Sequence, residues 1–113
     1  MTRQDQAIQE IEVGIEEAKE IIALRDSLDK LRSNPDFKKV INKAYFQDEA
    51  VRLVMAKSSP MEEAQLANID KMMYGIGSLA QFLDTILRNG DAMEQSVKES
   101  EQAREEILRE GLD

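Results

Sequence analysis

Four carboxylate pairs stand out along the sequence: Glu16-Glu17, Glu62-Glu63, Glu99-x-Glu101 and Glu105-Glu106. Neighbouring carboxylates can share a metal ion or divide the work of a general acid and a general base. Neither use finds its usual companions here. The chain has no His and no Cys, no Glu-x-x-His pattern of the kind that builds di-iron bundles, and no calcium loop of the EF-hand type. Tyr45, Ser58 and Lys57 supply a nucleophile and a base on paper, but nothing orients them. Gly75-Ile76-Gly77 has the outline of a phosphate-cradling glycine loop without its third glycine, its preceding strand or its βαβ setting. Close approach of helices is the better account of those glycines. The adjoining Met72, Met73 and Tyr74 are read as core, although Met can also furnish an adaptable binding surface. The expectation is a protein with no catalytic residues, no metal site and no cofactor.

The residues around these groups follow helical periods. Ile8, Ile11, Ile15, Ala18 and Ile22 recur at spacings of three and four, the signature of an amphipathic helix. A second seam, offset by one residue, continues through Ile21, Leu24, Leu28 and Leu31, which broadens the apolar face and suggests entry into a bundle. Ser33-Asn34-Pro35-Asp36 ends this helix, with Asn34 suited to cap a new one and Pro35 to open it. The next helix carries Phe37, Val40, Ile41, Ala44 and Tyr45, then Ala50, Val51, Leu53, Val54 and Met55. Its phase drifts near Phe46-Gln47-Asp48, so a kink or a pair of short helices competes with one straight rod. Phe37, Ile41, Tyr45 and Val51 are expected to share a core with Leu79.

Ser59-Pro60-Met61-Glu62 reads as a capping box that starts the last helix. From there a seven-residue repeat runs through Ile69, Ile76, Leu83, Gly90, Val97 and Arg104, accompanied three residues later by Met72, Leu79, Ile86, Met93, Ser100 and Ile107. Such a repeat argues for a coiled-coil-like helix. Asn89-Gly90-Asp91 interrupts the apolar run, and Gly in a helix interior costs about 1 kcal/mol relative to Ala. The register survives across it, which favours one continuous helix. The expected architecture is all-α and a single domain over residues 1–113: a long helical hairpin whose arms, about 1–20 and 91–113, extend from a compact helical head at about 21–88.

Charge narrows the partners. The 113 residues carry a formal net charge of −8, which disfavours nucleic acid, because that binding rests on neutralising phosphates with Lys and Arg. The sum is uneven: −3 over residues 1–33, +2 over 34–60, −2 over 61–88 and −5 over 89–113. Lys38, Lys39, Lys43 and Arg52 form a candidate basic patch, able to meet an acidic surface such as the arm of a neighbouring copy. No apolar run approaches the roughly 20 residues that span a bilayer, so no membrane role is expected.

The order of motifs in the middle of the chain resembles that of a group of phage proteins. Asn34-Pro35-Asp36-Phe37-Lys38-Lys39-Val40-Ile41, Tyr45-Phe46-Gln47-Asp48-Glu49-Ala50-Val51-Arg52-Leu53-Val54, Ile76-Gly77-Ser78-Leu79 and Phe82-Leu83 are similar to segments of small helical proteins of tailed, podovirus-type bacteriophages. The resemblance covers about residues 24–95, and the loop Lys57-Ser58-Ser59 looks shorter than in those proteins. It implies no activity. It implies a virion or assembly protein, present in the host cytoplasm during infection or carried in the particle, whose partners are copies of itself and other phage proteins.

The resulting expectation is a non-enzymatic structural or assembly protein acting through helix contacts. The candidate interaction seam is Ile8, Ile11, Ile15, Leu83, Ile86, Met93, Val97 and Ile107, with self-association sealed mainly by residues 83–107. The competing reading is an acidic, host-directed inhibitor that covers a basic nucleic-acid-binding surface of a host protein.

Overall fold

The computed structural model describes residues 2–111; residues 1, 112 and 113, at the tips of the arms as read from the sequence, lie outside the described residues. The protein is all-α, with no strand among the described residues. Helix α1 spans Arg3–Ser33 and helix α2 is the single turn Pro35–Phe37. A π-helical segment, Lys38–Glu49, continues directly into α3, Ala50–Ala56, and α4 runs from Glu63 to Glu110. The chain forms two compact units: residues 1–27 with 86–113, and residues 28–85.

In the first unit α1 and the C-terminal part of α4 pair antiparallel. The Gln4 side-chain amide donates to the Ile107 carbonyl at 3.0 Å, Arg104 lies 3.9 Å from Glu12, and Arg25 reaches Asp91 at 2.8 Å. Residue numbers thus rise on one helix as they fall on the other. Thr2 and Asp5 cap the start of α1 reciprocally: the Thr2 hydroxyl accepts from the Asp5 N–H at 3.0 Å, and the Thr2 N–H donates to the Asp5 carboxylate at 3.4 Å. The inward face of α1 is Ile8, Ile11, Ile15, Ala18, Ile22 and Arg25, all buried or half-buried. The broadened face expected from Ile21 and Leu24 does not form; both are exposed. The first seam simply continues, with Arg25 occupying the next inward position. On α4 the inward positions Ile86, Gly90, Met93, Val97, Ser100, Arg104 and Ile107 keep the heptad spacing without a slip. Asn89-Gly90-Asp91 does not break the helix.

The second unit is organised around Leu53, whose exposure is 0%, with Leu28 and Ile76 also buried. Asn34 caps α2 as expected: its side-chain oxygen accepts from the N–H groups of Asp36 at 2.8 Å and Phe37 at 3.2 Å, with Pro35 in the first turn. Of the alternatives open near Phe46-Gln47-Asp48, neither a break into two short helices nor a regular α-helical rod forms: helical structure runs unbroken from Pro35 to Ala56, with a π-helix through that stretch. Its i→i+5 bonding widens each turn. The inward residues Phe37, Ile41, Tyr45, Glu49 and Leu53 accordingly recur at every fourth residue. The phase drift in the sequence is the trace of this wider turn.

Two further expectations are corrected. Val51 is 60% exposed rather than part of the core; Leu53, two residues on, takes the inward direction, and Val51, Val54 and Met55 stand out together on the opposite side of α3. Helix α4 does not start at Ser59-Pro60. The Ser58 hydroxyl donates to the Met55 carbonyl at 2.6 Å and the Ser59 N–H to Ala56 at 3.3 Å, so both serines close the preceding helix. The cap of α4 is Glu62, whose carbonyl accepts the first helical bond, from Leu66, at 3.0 Å. Its N–H donates to the Gln65 side chain at 3.3 Å.

Truncating Leu53 to Ala is expected to cost about 2–5 kcal/mol, as for other fully buried leucines. Val51→Ala is expected to stay within about 0.5 kcal/mol, the range of ordinary surface changes. Denaturant unfolding of the two variants checks this, and equal losses would place Val51 back in the core.

Candidate protein-interaction surfaces

The distinctive local chemistry lies inside the first unit, at Arg25. A cation on an apolar seam needs partners, because burying a charge without them is costly. Arg25 is 8% exposed and finds three carboxylates. Its Nη1 donates to Asp91 at 2.8 Å and to Glu94 at 3.2 Å. Its Nη2 donates to the other Glu94 oxygen at 3.3 Å and to Asp26 at 2.9 Å, and its Nε donates to Asp26 at 3.1 Å. The fork-to-fork pairing with Glu94 fixes orientation as well as charge. Hydrogen bonds to Glu94, Asp91 and Asp26 raise the guanidinium's already high pKa further. In return, hydrogen bonds and charge from Arg25 hold the Glu94 carboxyl below its ordinary value.

This arrangement requires Gly90. A Cβ at position 90 would lie 2.2 Å from the Cβ of Arg25, 2.5 Å from its Cγ and 2.8 Å from its Cδ. Those are the stem atoms of the arginine, fixed close to the α1 backbone, so the overlap cannot be relieved by swinging the charged end away. Gly90 is therefore the hole that receives Arg25. By sequence alone it looks like a defect in the seam. The signal that could have revealed the pair was the inward phase of Arg25 itself, seven residues after Ala18, together with acidic residues one and four positions beyond Gly90.

The candidate seam is brought together in part. Ile15 and Ile86 are buried, and Ile8, Ile11, Met93, Val97 and Ile107 are half-buried on the inward faces of the α1–α4 pair; Leu83, half-buried, belongs to the second unit. Lys38, Lys39, Lys43 and Arg52 are all exposed. Lys43 pairs with Asp48 at 3.1 Å and Arg52 with Glu49, whose carboxyl is lowered by that contact. Two of the four charges are thus matched within the π-helical region and α3.

Tyr74, read as core, is 80% exposed, and Gly77 meets open space rather than a neighbouring helix. Gly75 does lie against another element, with the Tyr45 hydroxyl 3.8 Å from where its Cβ would be. Among the described residues no group of three or more acidic side chains is arranged to hold a metal ion, and no helix is long and apolar enough to cross a membrane. No protein-family model, curated protein or solved structure matches the chain.

The net charge is sharply partitioned. Residues 1–27 and 86–113 carry seven basic and fifteen acidic side chains, the entire −8, whereas residues 28–85 carry eight of each.

Two outcomes follow from the Arg25 site. Gly→Ala in a helix interior normally gains about 1 kcal/mol, and Gly14→Ala, with nothing within 4 Å, should show that gain. Gly90→Ala should instead lower stability, since overpacking typically costs about 1–3 kcal/mol; thermal unfolding of the two variants reads the opposite signs. The second concerns acid. A carboxyl lowered on folding contributes stability that is complete above its unfolded value, 4.5 for Glu94, and is lost as pH falls through the folded value. Glu94→Gln should therefore weaken the protein at neutral pH and flatten its stability loss below pH 4.5, measured as the pH dependence of the melting temperature against the parent.

Proposed function

We propose that the chain is a non-enzymatic assembly protein that works by presenting helix faces to other proteins, in the setting of a tailed-phage particle. The observation that supports this reading is the amount of apolar surface on outward faces. Twelve large apolar side chains among the described residues stand exposed, including Val13, Val51, Met55, Tyr74, Phe82 and Leu108. Of these, Val51, Val54 and Met55 share one side of α3, and Tyr74 and Phe82 share one side of α4; contiguous apolar surface commonly marks protein-contact sites. The resemblance of residues 24–95 to small helical phage proteins supplies the setting, either the host cytoplasm during infection or the particle itself.

A second reading is favoured by a different observation, the confinement of the whole −8 to the α1–α4 pair. A strongly acidic hairpin suits a basic surface, such as the nucleic-acid-binding face of a host protein. Such contact would be weakened by salt, since screening sets in over about 10 Å at 0.1 M.

Quantitative mass spectrometry of purified particles, alongside a pull-down from infected cells, separates the two. The assembly reading expects the chain at fixed stoichiometry with a structural protein, in particles or in assembly intermediates. Absence from both, with salt-sensitive capture of a basic host protein, would replace it with the inhibitor reading.

A further inference from the structure

Helix α4 has a second face that the second unit leaves uncovered. Ala67, Lys71, Tyr74, Ser78, Phe82 and Thr85 recur at spacings of three and four and are all exposed. In a chain with 34% charged residues, this stripe carries a single charge, Lys71. It carries two aromatic side chains, Tyr74 at 80% and Phe82 at 59% exposure. The buried residue Ile76 points to the opposite side of the same helix.

We propose that this face is covered by the same face of a second copy, the two α4 helices crossing antiparallel about a two-fold axis at Ser78. Three observations carry the assignment, which rests on the reading of the chain as a helix-contact protein. The first is self-complementarity. A two-fold interface must place both knob and hole on one surface. Tyr74 and Phe82 lie four residues either side of Ser78, and Gly77 beside it opens onto empty space. An antiparallel crossing at Ser78 sets each Tyr74 against the partner copy's Phe82 and leaves the small residues at the closest approach. Lys71 and Thr85, each seven residues from Ser78, face each other in the same way.

The second observation is charge. Residues 28–85 are neutral overall, so two copies meet there without net repulsion, whereas contact through the −8 unit would oppose itself. The third is area. The accessible surface is 8478 Å² for a 12.8 kDa chain, about 2,200 Å² more than a folded monomer of that mass exposes. A standard interface removes about 800 Å² from each partner, so the excess accommodates one. Self-association through this face lies apart from the inward positions of residues 86–107, which already serve the α1–α4 pair, and so differs from the seal over residues 83–107 that the sequence suggests.

The absence of cysteine permits a direct test on the full chain. Light scattering of the parent should give twice the chain mass at tens of micromolar. Tyr74→Asp and Phe82→Asp should each weaken the dimer at least tenfold with helicity unchanged by circular dichroism. Ser78→Cys should self-cross-link on mild oxidation. Lys71→Cys and Thr85→Cys should not do so singly, but should cross-link to each other when the two chains are mixed. A monomeric parent up to hundreds of micromolar overturns the proposal, as does a dimer indifferent to both aspartate variants, or self-cross-linking at 71 and 85, which would indicate a parallel pair. Because the purified chain alone is assayed, a monomeric result sinks this interface and leaves docking onto other proteins to be decided by the particle measurement.

Discussion

Arg25 stands where the periodicity of α1 asks for an apolar residue, and it is accommodated because α4 offers no side chain at Gly90. A Cβ there would sit 2.2 Å from that of Arg25, so the helices could not approach as they do. The close approach buries the arginine stem, and burial of the stem obliges the guanidinium to find acceptors. Asp91 and Glu94, one and four residues past the glycine, are on the adjoining turn to provide them. Size and charge thus specify the same register. A shift of α4 along α1 would press a side chain against the arginine and separate it from its carboxylates. Apolar seams of Ile, Val and Met tolerate such shifts more readily, since one aliphatic contact replaces another. The unit therefore gains specificity from its one buried cation, a role for which buried polar groups in helical pairs have precedent.

The same partition of residues shapes what the protein can offer to others. In the α1–α4 pair one apolar seam is drawn inward, and the outer surface combines the whole net charge of −8 with the exposed side chains of Val13, Ile21, Leu24 and Leu108. Residues 28–85 are neutral and leave Val51, Val54, Met55, Tyr74 and Phe82 outside a core centred on Leu53. Contacts made there depend on shape and burial. One chain accordingly combines a strongly acidic surface with a neutral one that exposes apolar side chains.

The sequence disclosed the features that depend on spacing. The heptad run from Ile69 to Ile107 marks the inward face of α4 and its continuity through Gly90, except at Met72, which is exposed while Met73 turns inward, and Asn34-Pro35 marks the start of α2, because caps and periods are local properties. Features that depend on two distant segments were not legible. Arg25 and Gly90 are separated by 65 residues, and each alone looks like a flaw in its helix. Val51 and Leu53 are both aliphatic and two positions apart; which one faces inward is decided by the accumulated phase of a π-helix that standard helical spacing does not anticipate. Ser59-Pro60 offered a competent cap, but Ser58 and Ser59 were drawn to the carbonyls at the end of α3. Tyr74 has the side chain of a core residue, but its position on the helix puts it on the outer face.

The central claim is that Gly90 is required because Arg25 fills its place, and a mutational cycle between the two positions tests it most directly. Gly90→Ala is introduced into the parent and into an Arg25→Gly chain, which lacks the atoms that a Cβ at position 90 would strike, and stability is measured for all four proteins. The account predicts a reversal of sign: the alanine lowers stability opposite Arg25 and raises it opposite glycine, by about the 1 kcal/mol of helix propensity. The same effect, in sign and size, in both backgrounds would show that Gly90 and Arg25 act independently and that the register is set elsewhere.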